Sequence, residues 1–189
     1  RLSAHLARTG ITPNQITVIS FLISLVGAGL LSVGMFVTGI IGGLLVQAAS
    51  VIDGCDGEIA RLKHLSSARG AWLDTVLDRY ADMAVTLAVT FAYAAMNPGP
   101  LPWIIGFLAA FGFILASYVT KEFAIRIGEP YPNNIFSRLN RRDLRLFIIC
   151  IGAVVARPFE ALVIAGVLTH LCVIGVFMRG WTRSASPGQ

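Results

Sequence analysis

The chain has 189 residues, of which 56% are hydrophobic and 13% charged, and its mean hydropathy is +0.74. These values lie outside the range of soluble globular proteins and predict a single all-α integral membrane domain over residues 1–189. The formal net charge of +5 is what a membrane protein gains from the cationic residues that flank its spans, so it does not indicate nucleic-acid binding.

Long charge-free stretches define the predicted helices. Residues 1–10 place leucines between cationic side chains, which predicts a juxtamembrane amphipathic helix. Pro13 is then expected in the first turn of the next helix. Residues 9–52 and 83–120 contain no charged side chain, and each stretch is long enough for about two spans of ~20 residues. Six transmembrane helices are predicted in all, at about residues 14–36, 40–63, 71–96, 101–125, 144–155 and 158–178.

The distribution of cationic residues predicts the orientation of these spans. Of the 15 Lys and Arg residues, only Arg157 falls in a connection on the opposite side from the others. By the positive-inside rule, both termini face the cytoplasm in the cell membrane. Glycines within the early spans, such as Gly42 and Gly43, are expected to allow close helix packing.

Four aspartates interrupt the apolar pattern between residues 53 and 78. Asp53 and Asp56 are three residues apart, and Asp74 and Asp78 are four apart, so each pair is expected on one face of its helix. An ionised side chain in the bilayer costs roughly 2.5–3.5 kcal/mol, so these acids need compensation. Convergent carboxylates suit Mg²⁺ or Mn²⁺, and two ions about 3.5–4 Å apart are typical of phosphoryl-transfer sites.

The same stretch carries a specific motif. It begins DxxDGxxAR, where x is any residue. A glycine follows after eight further residues, and two aspartates then follow at intervals of four positions. In this motif the chain resembles the CDP-alcohol phosphotransferase (phosphatidyltransferase) family. The matching positions are Asp53, Asp56, Gly57, Ala60, Arg61, Gly70, Asp74 and Asp78. The alternative, acids solvated in a cytoplasmic loop, does not require this spacing.

The resemblance implies transfer of a phosphate-linked group from a CDP-alcohol to a second alcohol, with release of CMP. It implies that Asp53, Asp56 and Asp74 bind two divalent ions and that Asp78 is the general base beside them and a further metal ligand. It also implies that Asp53 and Asp56 contact the bound CDP moiety, that the small residues admit it, and that Arg61 lies near its phosphates. The small residues concerned are Gly57, Ala60 and Gly70.

A basic cluster provides candidates for binding the acceptor. Arg142 and Arg145, three residues apart, are able to clamp a phosphate, with Lys121 and Arg138 as further candidates. Their other interpretation is as topological anchors. The form of the motif, DGCDGEIARLK, resembles the inositol-phosphate-using branches, the di-inositol-phosphate phosphate and phosphatidylinositol phosphate synthases. This resemblance implies an inositol phosphate acceptor, a CDP-inositol or CDP-diacylglycerol donor, contact with membrane lipid, a homodimer, and a soluble cytidylyltransferase-like domain before residue 1.

Two alternatives remain open. The same chemistry would serve glycerol phosphate or another polar alcohol as acceptor. A divalent-cation transporter also needs intramembrane acids, but its acids would line a path across the bilayer, whereas those of this chain gather towards one side.

Overall fold

The computed structural model describes residues 11–63, 65 and 67–184, except for the side chains of Asp56 and Ser184. The described chain is all-helical, and the predicted amphipathic helix at residues 1–10 lies outside it. The helices are α1 (Pro13–Ser32), α2 (Phe36–Asp53), α3 (Asp56–Leu62), α4 (Ala68–Met96), α5 (Pro100–Ile127), α6 (Ile135–Leu139), α7 (Arg142–Val154) and α8 (Pro158–Ser184).

Six of these helices form a closed ring, called the helix ring below. Following their contacts around it, α1 packs on α2, α2 on α7, α7 on α8, α8 on α5, α5 on α4, and α4 again on α1. Most of the interior is apolar, and this core contains side chains from every one of these helices. Its buried members include Leu31, Val46, Val85, Phe113, Ile149 and Leu162.

Four helical segments of the described chain are long and apolar enough to cross a membrane, as expected of an integral membrane protein. They are Pro13–Ser32, Phe36–Leu62, Pro100–Ile127 and Pro158–Arg183. The other two helices of the ring differ from them, because α4 carries charged residues in its first half and α7 has only 13 residues.

Glycines allow the closest helix contacts of the ring, as predicted. A Cβ atom added to Gly42 would lie 2.6 Å from the carbonyl oxygen of Gly27, so only a glycine lets α1 and α2 approach this closely. A Cβ atom on Gly43 would lie 2.8 Å from that of Ala153, which brings α7 equally close to α2.

The predicted second span is not one continuous helix. A two-residue turn at Gly54 and Cys55 ends α2 at Asp53, and α3 begins at Asp56. The amide of Cys55 donates to the Ile52 carbonyl at 3.0 Å, which is a tighter turn than the α-helical one. Asp53 and Asp56 therefore lie on two different helices, and the expectation that they share one helix face is wrong.

Local signals account for the placement of α1, α3 and α4. Thr12 and Gln15 form a capping box ahead of α1, with Pro13 in its first turn as predicted. Ser67 caps α4 by accepting a hydrogen bond from the Gly70 amide at 3.1 Å. The helix α3 rests on α1 through a small buried cluster of Ile16, Cys55 and Ile59, which fixes α3 against the start of α1.

Candidate active site

Three of the four predicted metal ligands meet inside one end of the helix ring. Asp53 is the last residue of α2, while Asp74 and Asp78 lie one turn apart on α4. One carboxylate oxygen from each lies within 4.8 Å of the others. The side chain of Asp56, the fourth predicted ligand, lies outside the described part of the chain. Three carboxylates at this separation form a hard-oxygen donor set suited to Mg²⁺ or Mn²⁺.

A cavity of about 200 Å³ opens beside Asp74 between α1, α3 and the start of α4. Four of the residues predicted to contact the CDP moiety lie on its wall together with this acid: Gly57, Ala60, Arg61 and Gly70. Asn14, Thr17 and Ser67 add further polar side chains to its wall, beside Pro13. The motif residues separated by the α3–α4 connection thus share one space with a metal-ligand candidate.

Close approach explains one glycine of this cavity. A Cβ atom on Gly70 would lie 2.8 Å from Oδ1 of Asn14, so the side chain of Asn14 lies against the start of α4 only because residue 70 is a glycine. At Gly57 the nearest group would be Nη1 of Arg61 at 3.8 Å, an ordinary contact. Gly70 therefore serves the packing of Asn14, whereas Gly57 leaves the cavity open beside Arg61.

Arg142, predicted as an acceptor-phosphate residue, lies among the acids. Its Nη1 atom is 2.9 Å from Oδ2 of Asp53 and 2.7 Å from Oδ1 of Asp78. Its Nε atom donates to Oδ1 of Asp82 at 2.9 Å. Asp53 also accepts a hydrogen bond from the hydroxyl of Ser20 at 2.8 Å. One guanidinium thus joins α2, α4 and α7 and offsets part of the negative charge of the site.

Behind Arg142 lies a buried group of charges that the motif does not contain. Arg145 and Asp82 are 4% and 3% exposed, and Nη2 of Arg145 is 3.8 Å from Oδ2 of Asp82. Arg79 Nη1 is 3.4 Å from the same oxygen. Both arginines donate to the carbonyl of Phe113 at 3.3 Å, and Arg145 lies over the ring of Phe113, 4.6 Å from its centroid. These contacts tie α4 and α7 to α5.

The predicted acceptor residues do not form one pocket. Arg138 lies on α6 and lines an open groove of about 710 Å³ with Arg141, Gln47 and Phe147. Lys121 is exposed on α5. Arg145 is buried against Phe113. Arg142 and Arg145 therefore do not form a clamp in which both side chains face one phosphate. The cluster divides into a buried part at the acids and an exposed part at the groove.

Sequence reasoning missed Asp82, Arg79 and Asn14. A signal for Asp82 exists, because Asp74, Asp78 and Asp82 follow each other at four-residue intervals and share one helix face. No comparable signal exists for Asn14, since its role depends on the contact between α1 and α4.

Comparison with known proteins identifies the relatives of this chain. Residues 10–178 match the family model described as CDP-alcohol phosphatidyltransferase. A bifunctional IPC transferase and DIPP synthase of Rubrobacter xylanophilus is 37% identical over 161 residues, covering 85% of this chain and 35% of that protein. The Aquifex aeolicus protein of the same name is 33% identical over 182 residues, covering 93% of this chain and 40% of that protein. The chain thus spans little more than a third of the length of these relatives.

Solved structures share the fold. The crystal structure of Mycobacterium tuberculosis phosphatidylinositol phosphate synthase with CDP-DAG bound superposes with a TM-score of 0.76 at 24% identity, covering 96% of this chain and 92% of that one. The same enzyme in complex with manganese and citrate gives a TM-score of 0.75. At this identity the likeness establishes the arrangement of helices.

Proposed function

Because the chain belongs to the CDP-alcohol phosphatidyltransferase family, we propose that it transfers the phospho-alcohol group of a CDP-alcohol to the hydroxyl of a second alcohol and releases CMP. The observation that carries this proposal is the meeting of Asp53, Asp74 and Asp78 within 4.8 Å, beside a cavity lined by Gly57 and Arg61. Negative side chains beside a substrate cavity need a cation between them and a substrate that carries phosphate charge.

Asp53, Asp74 and Asp78, with Asp56 as the fourth ligand, would hold two divalent ions, Mg²⁺ or Mn²⁺. The geometry of the three described acids fits such ions, since their oxygens converge and come from two helices fixed by packing. When bound, the ions neutralise the diphosphate of the donor and the charge that develops on the departing CMP. The manganese in the Mycobacterium tuberculosis enzyme supports this choice of metal class.

In this proposal the 200 Å³ cavity takes the cytidine end of the donor, in contact with Asp53, Asp56, Gly57, Ala60 and Gly70. Arg61, exposed at the wall, donates to a phosphate oxygen. The structure with CDP-DAG bound supports a CDP-linked donor for this fold.

Asp78 acts as the general base. The acceptor hydroxyl loses its proton to the carboxylate of Asp78, its oxygen bonds to the phosphorus that carries the donor's alcohol, and the bond from that phosphorus to the CMP oxygen breaks with its electron pair. CMP leaves with that oxygen. No side chain needs to form a covalent bond to the substrate.

We further propose a phosphorylated acceptor, inositol phosphate, with CDP-inositol or CDP-diacylglycerol as donor. The names of the relatives support this class, since the Pyrococcus horikoshii protein that is 32% identical over 119 residues is an archaetidylinositol phosphate synthase. Arg142 lies close enough to the acids to hold the acceptor's phosphate beside the reacting hydroxyl. Arg138 and Lys121 then attract the phosphorylated acceptor from the cytoplasmic surface.

In the membrane we propose six spans, α4 and α7 being the two beyond the four apolar segments, with both termini and the acids on the cytoplasmic side. Arg157 and Glu160 lie in the described chain at the other end of the helix ring, which agrees with this orientation. A homodimer through membrane spans completes the proposal.

The test is direct. The purified protein is incubated with CDP-inositol or CDP-diacylglycerol and, separately, inositol, inositol phosphate and glycerol phosphate, with and without Mg²⁺. CMP and products are identified by mass. Metal-dependent CMP release with a phosphorylated acceptor supports the proposal. Cation flux in liposomes without CMP release would instead support a transporter.

A further inference from the structure

Asp82 belongs neither to the proposed metal ligands nor to the donor cavity. It lies on α4 one turn beyond Asp78 and is 3% exposed, so a substrate cannot reach it. Any role in the reaction must therefore pass through the residues that it touches. Those are three arginines, from α4 and α7.

The shortest of these contacts orients Arg142. Oδ1 of Asp82 accepts from Nε of Arg142 at 2.9 Å, whereas its Oδ2 makes only longer ion pairs, 3.4 Å to Arg79 and 3.8 Å to Arg145. Among the described residues, Asp82 Oδ2 has no hydrogen-bond partner. One oxygen of the Asp82 carboxylate thus binds Arg142, and the other lies near Arg79 and Arg145.

The hydrogen bond between Asp82 and Nε of Arg142 determines the orientation of the Arg142 guanidinium group. A guanidinium is planar, so fixing Nε on Asp82 and Nη1 on Asp53 and Asp78 fixes its plane and the direction of Nη2. Without the bond to Nε, Arg142 would be free to rotate and pair through both of its terminal nitrogens with one of these acids. In that arrangement it would be withdrawn from a phosphate arriving at the site.

We propose that Asp82 is a positioning residue that holds Arg142 ready for the phosphate of the acceptor and thereby sets the preference for phosphorylated over unphosphorylated acceptors. The inference rests on the proposed function in one respect, that Arg142 receives the acceptor's phosphate. It adds a residue outside the sequence motif as the determinant of that selectivity.

If Asp82 served only as a counter-charge, the opposite effect on phosphate affinity would be expected for Asp82→Ala. If Asp82 only neutralised the arginines, Asp82→Asn and Asp82→Ala would remove the same charge and change phosphate affinity alike, and both would strengthen it because the site becomes more positive. If Asp82 orients Arg142, the amide oxygen of Asp82→Asn still accepts from Nε, whereas Asp82→Ala loses this acceptor. The pair of variants therefore separates orientation from charge.

The experiment measures binding and turnover in the same detergent-purified full chain. Affinity for inositol phosphate is measured by calorimetry, and KM is measured for donor and acceptor with phosphorylated and unphosphorylated acceptors. We expect Asp82→Ala to weaken inositol phosphate binding about tenfold, which is the effect of a lost charged hydrogen bond. The affinity of Asp82→Asn for inositol phosphate should stay within about threefold of wild type. The KM for the donor should be unchanged in both variants. Thr86→Val is the control, because Thr86 is fully buried one turn further along and, within the described part of the chain, its hydroxyl donates to the backbone carbonyl of Asp82 and not to its carboxylate.

A double variant provides a second test of the positioning role. In an Arg142→Ala background, Asp82→Ala should cause no further loss of inositol phosphate affinity, since the residue that it positions is gone. Removing Asp82 leaves buried arginines without their carboxylate, which destabilises the fold. If Asp82→Ala does not purify as a folded protein, Asp82→Ser, which is too short to reach Nε, takes its place.

Equal changes in Asp82→Asn and Asp82→Ala, or an additive loss in the double variant, overturn the inference. So does a wild-type protein that binds no inositol phosphate. A wild-type protein that binds inositol phosphate but releases no CMP refutes the proposed function alone, and the binding arm then still decides the role of Asp82.

Discussion

The two ends of the helix ring are filled by different kinds of side chain. At one end, acids and arginines from α2, α4 and α7 lie within hydrogen-bonding distance of one another. At the other, Tyr93 and Phe159 stack with ring centroids 3.9 Å apart beside a cavity of about 270 Å³ that is lined mostly by apolar residues. The single helix α4 contributes to both, with Asp78 and Asp82 in its first half and Tyr93 near its end.

This difference between the two ends predicts which property of the protein a substitution at each end will change. At the polar end Arg142 and Asp82 each pair with several oppositely charged groups, so removing one charge changes the balance of the rest and alters the chemistry of the site. At the apolar end the contacts are non-directional and depend on space, so a change of volume alters stability instead. Variants at the two ends should therefore affect different properties of the protein.

The largest effect is expected from the acids. Asp53→Asn or Asp74→Asn should lower CMP release at least about a hundredfold, because each removes a charge from the proposed metal ligands while the protein remains folded. Glu160→Gln is the matched control, since Glu160 is an acid at the opposite end whose ion-pair partner among the described residues is Arg157, at 3.8 Å. Near-normal turnover of Asp53→Asn with Mg²⁺ would contradict the metal assignment.

At the apolar end, Gly152→Ala should lower the free energy of unfolding by about 1–3 kcal/mol, the usual effect of overpacking. A Cβ atom there would lie 2.8 Å from the carbonyl of Arg157 and would also overlap the side chain of Ala161. Thermal unfolding in detergent measures the change. Gly39→Ala is the control, because a Cβ atom at that position meets nothing within 4 Å. A Gly152→Ala protein that is as stable as Gly39→Ala would show that this end tolerates added volume.

A smaller effect, confined to one substrate, is expected from Arg142→Ala. It should raise the KM of the phosphorylated acceptor about tenfold through loss of charge-assisted hydrogen bonds. Arg142→Lys should recover only part of this, since an ammonium lacks the planar fork. Arg126→Ala is the control, an exposed arginine whose partner is Glu122 on the same helix. Equal loss of donor and acceptor binding would indicate that Arg142 serves the whole acidic site rather than the acceptor.

The sequence predicted the helices and the acids better than the partners of the arginines. Charge-free stretches predict helices directly, because apolar residues of this number have to span a bilayer or lie in a core. The motif spacing likewise brought Gly57, Arg61 and Gly70 to one cavity. Arg142 meets Asp53 across 89 positions of sequence, and that contact depends on α7 packing against α2, which no local pattern encodes. The break at Gly54 was missed because the three-residue spacing of Asp53 and Asp56 fits a continuous helix equally well.

The smallest effect is expected at the edge of the donor cavity, where the polar end also depends on space. Gly70→Ala would place a Cβ atom 2.8 Å from Oδ1 of Asn14 and 3.1 Å from Oγ of Ser67. Because the end of an exposed side chain can move, we expect the KM of the CDP donor to rise only about threefold, below the roughly tenfold effect of a lost charged hydrogen bond. Adding Asn14→Ala should return the KM towards that of the Asn14→Ala single variant, since it removes the atom that the new methyl group meets. Gly57→Ala adds a methyl group to the same cavity without meeting Asn14, since its nearest neighbour is Arg61 at 3.8 Å, so Asn14→Ala should not relieve any rise in donor KM that it causes. If Gly70→Ala and Gly57→Ala raise the donor KM equally and Asn14→Ala relieves neither, the glycines act through the space they leave for the nucleotide, and the packing of Asn14 does not shape the cavity.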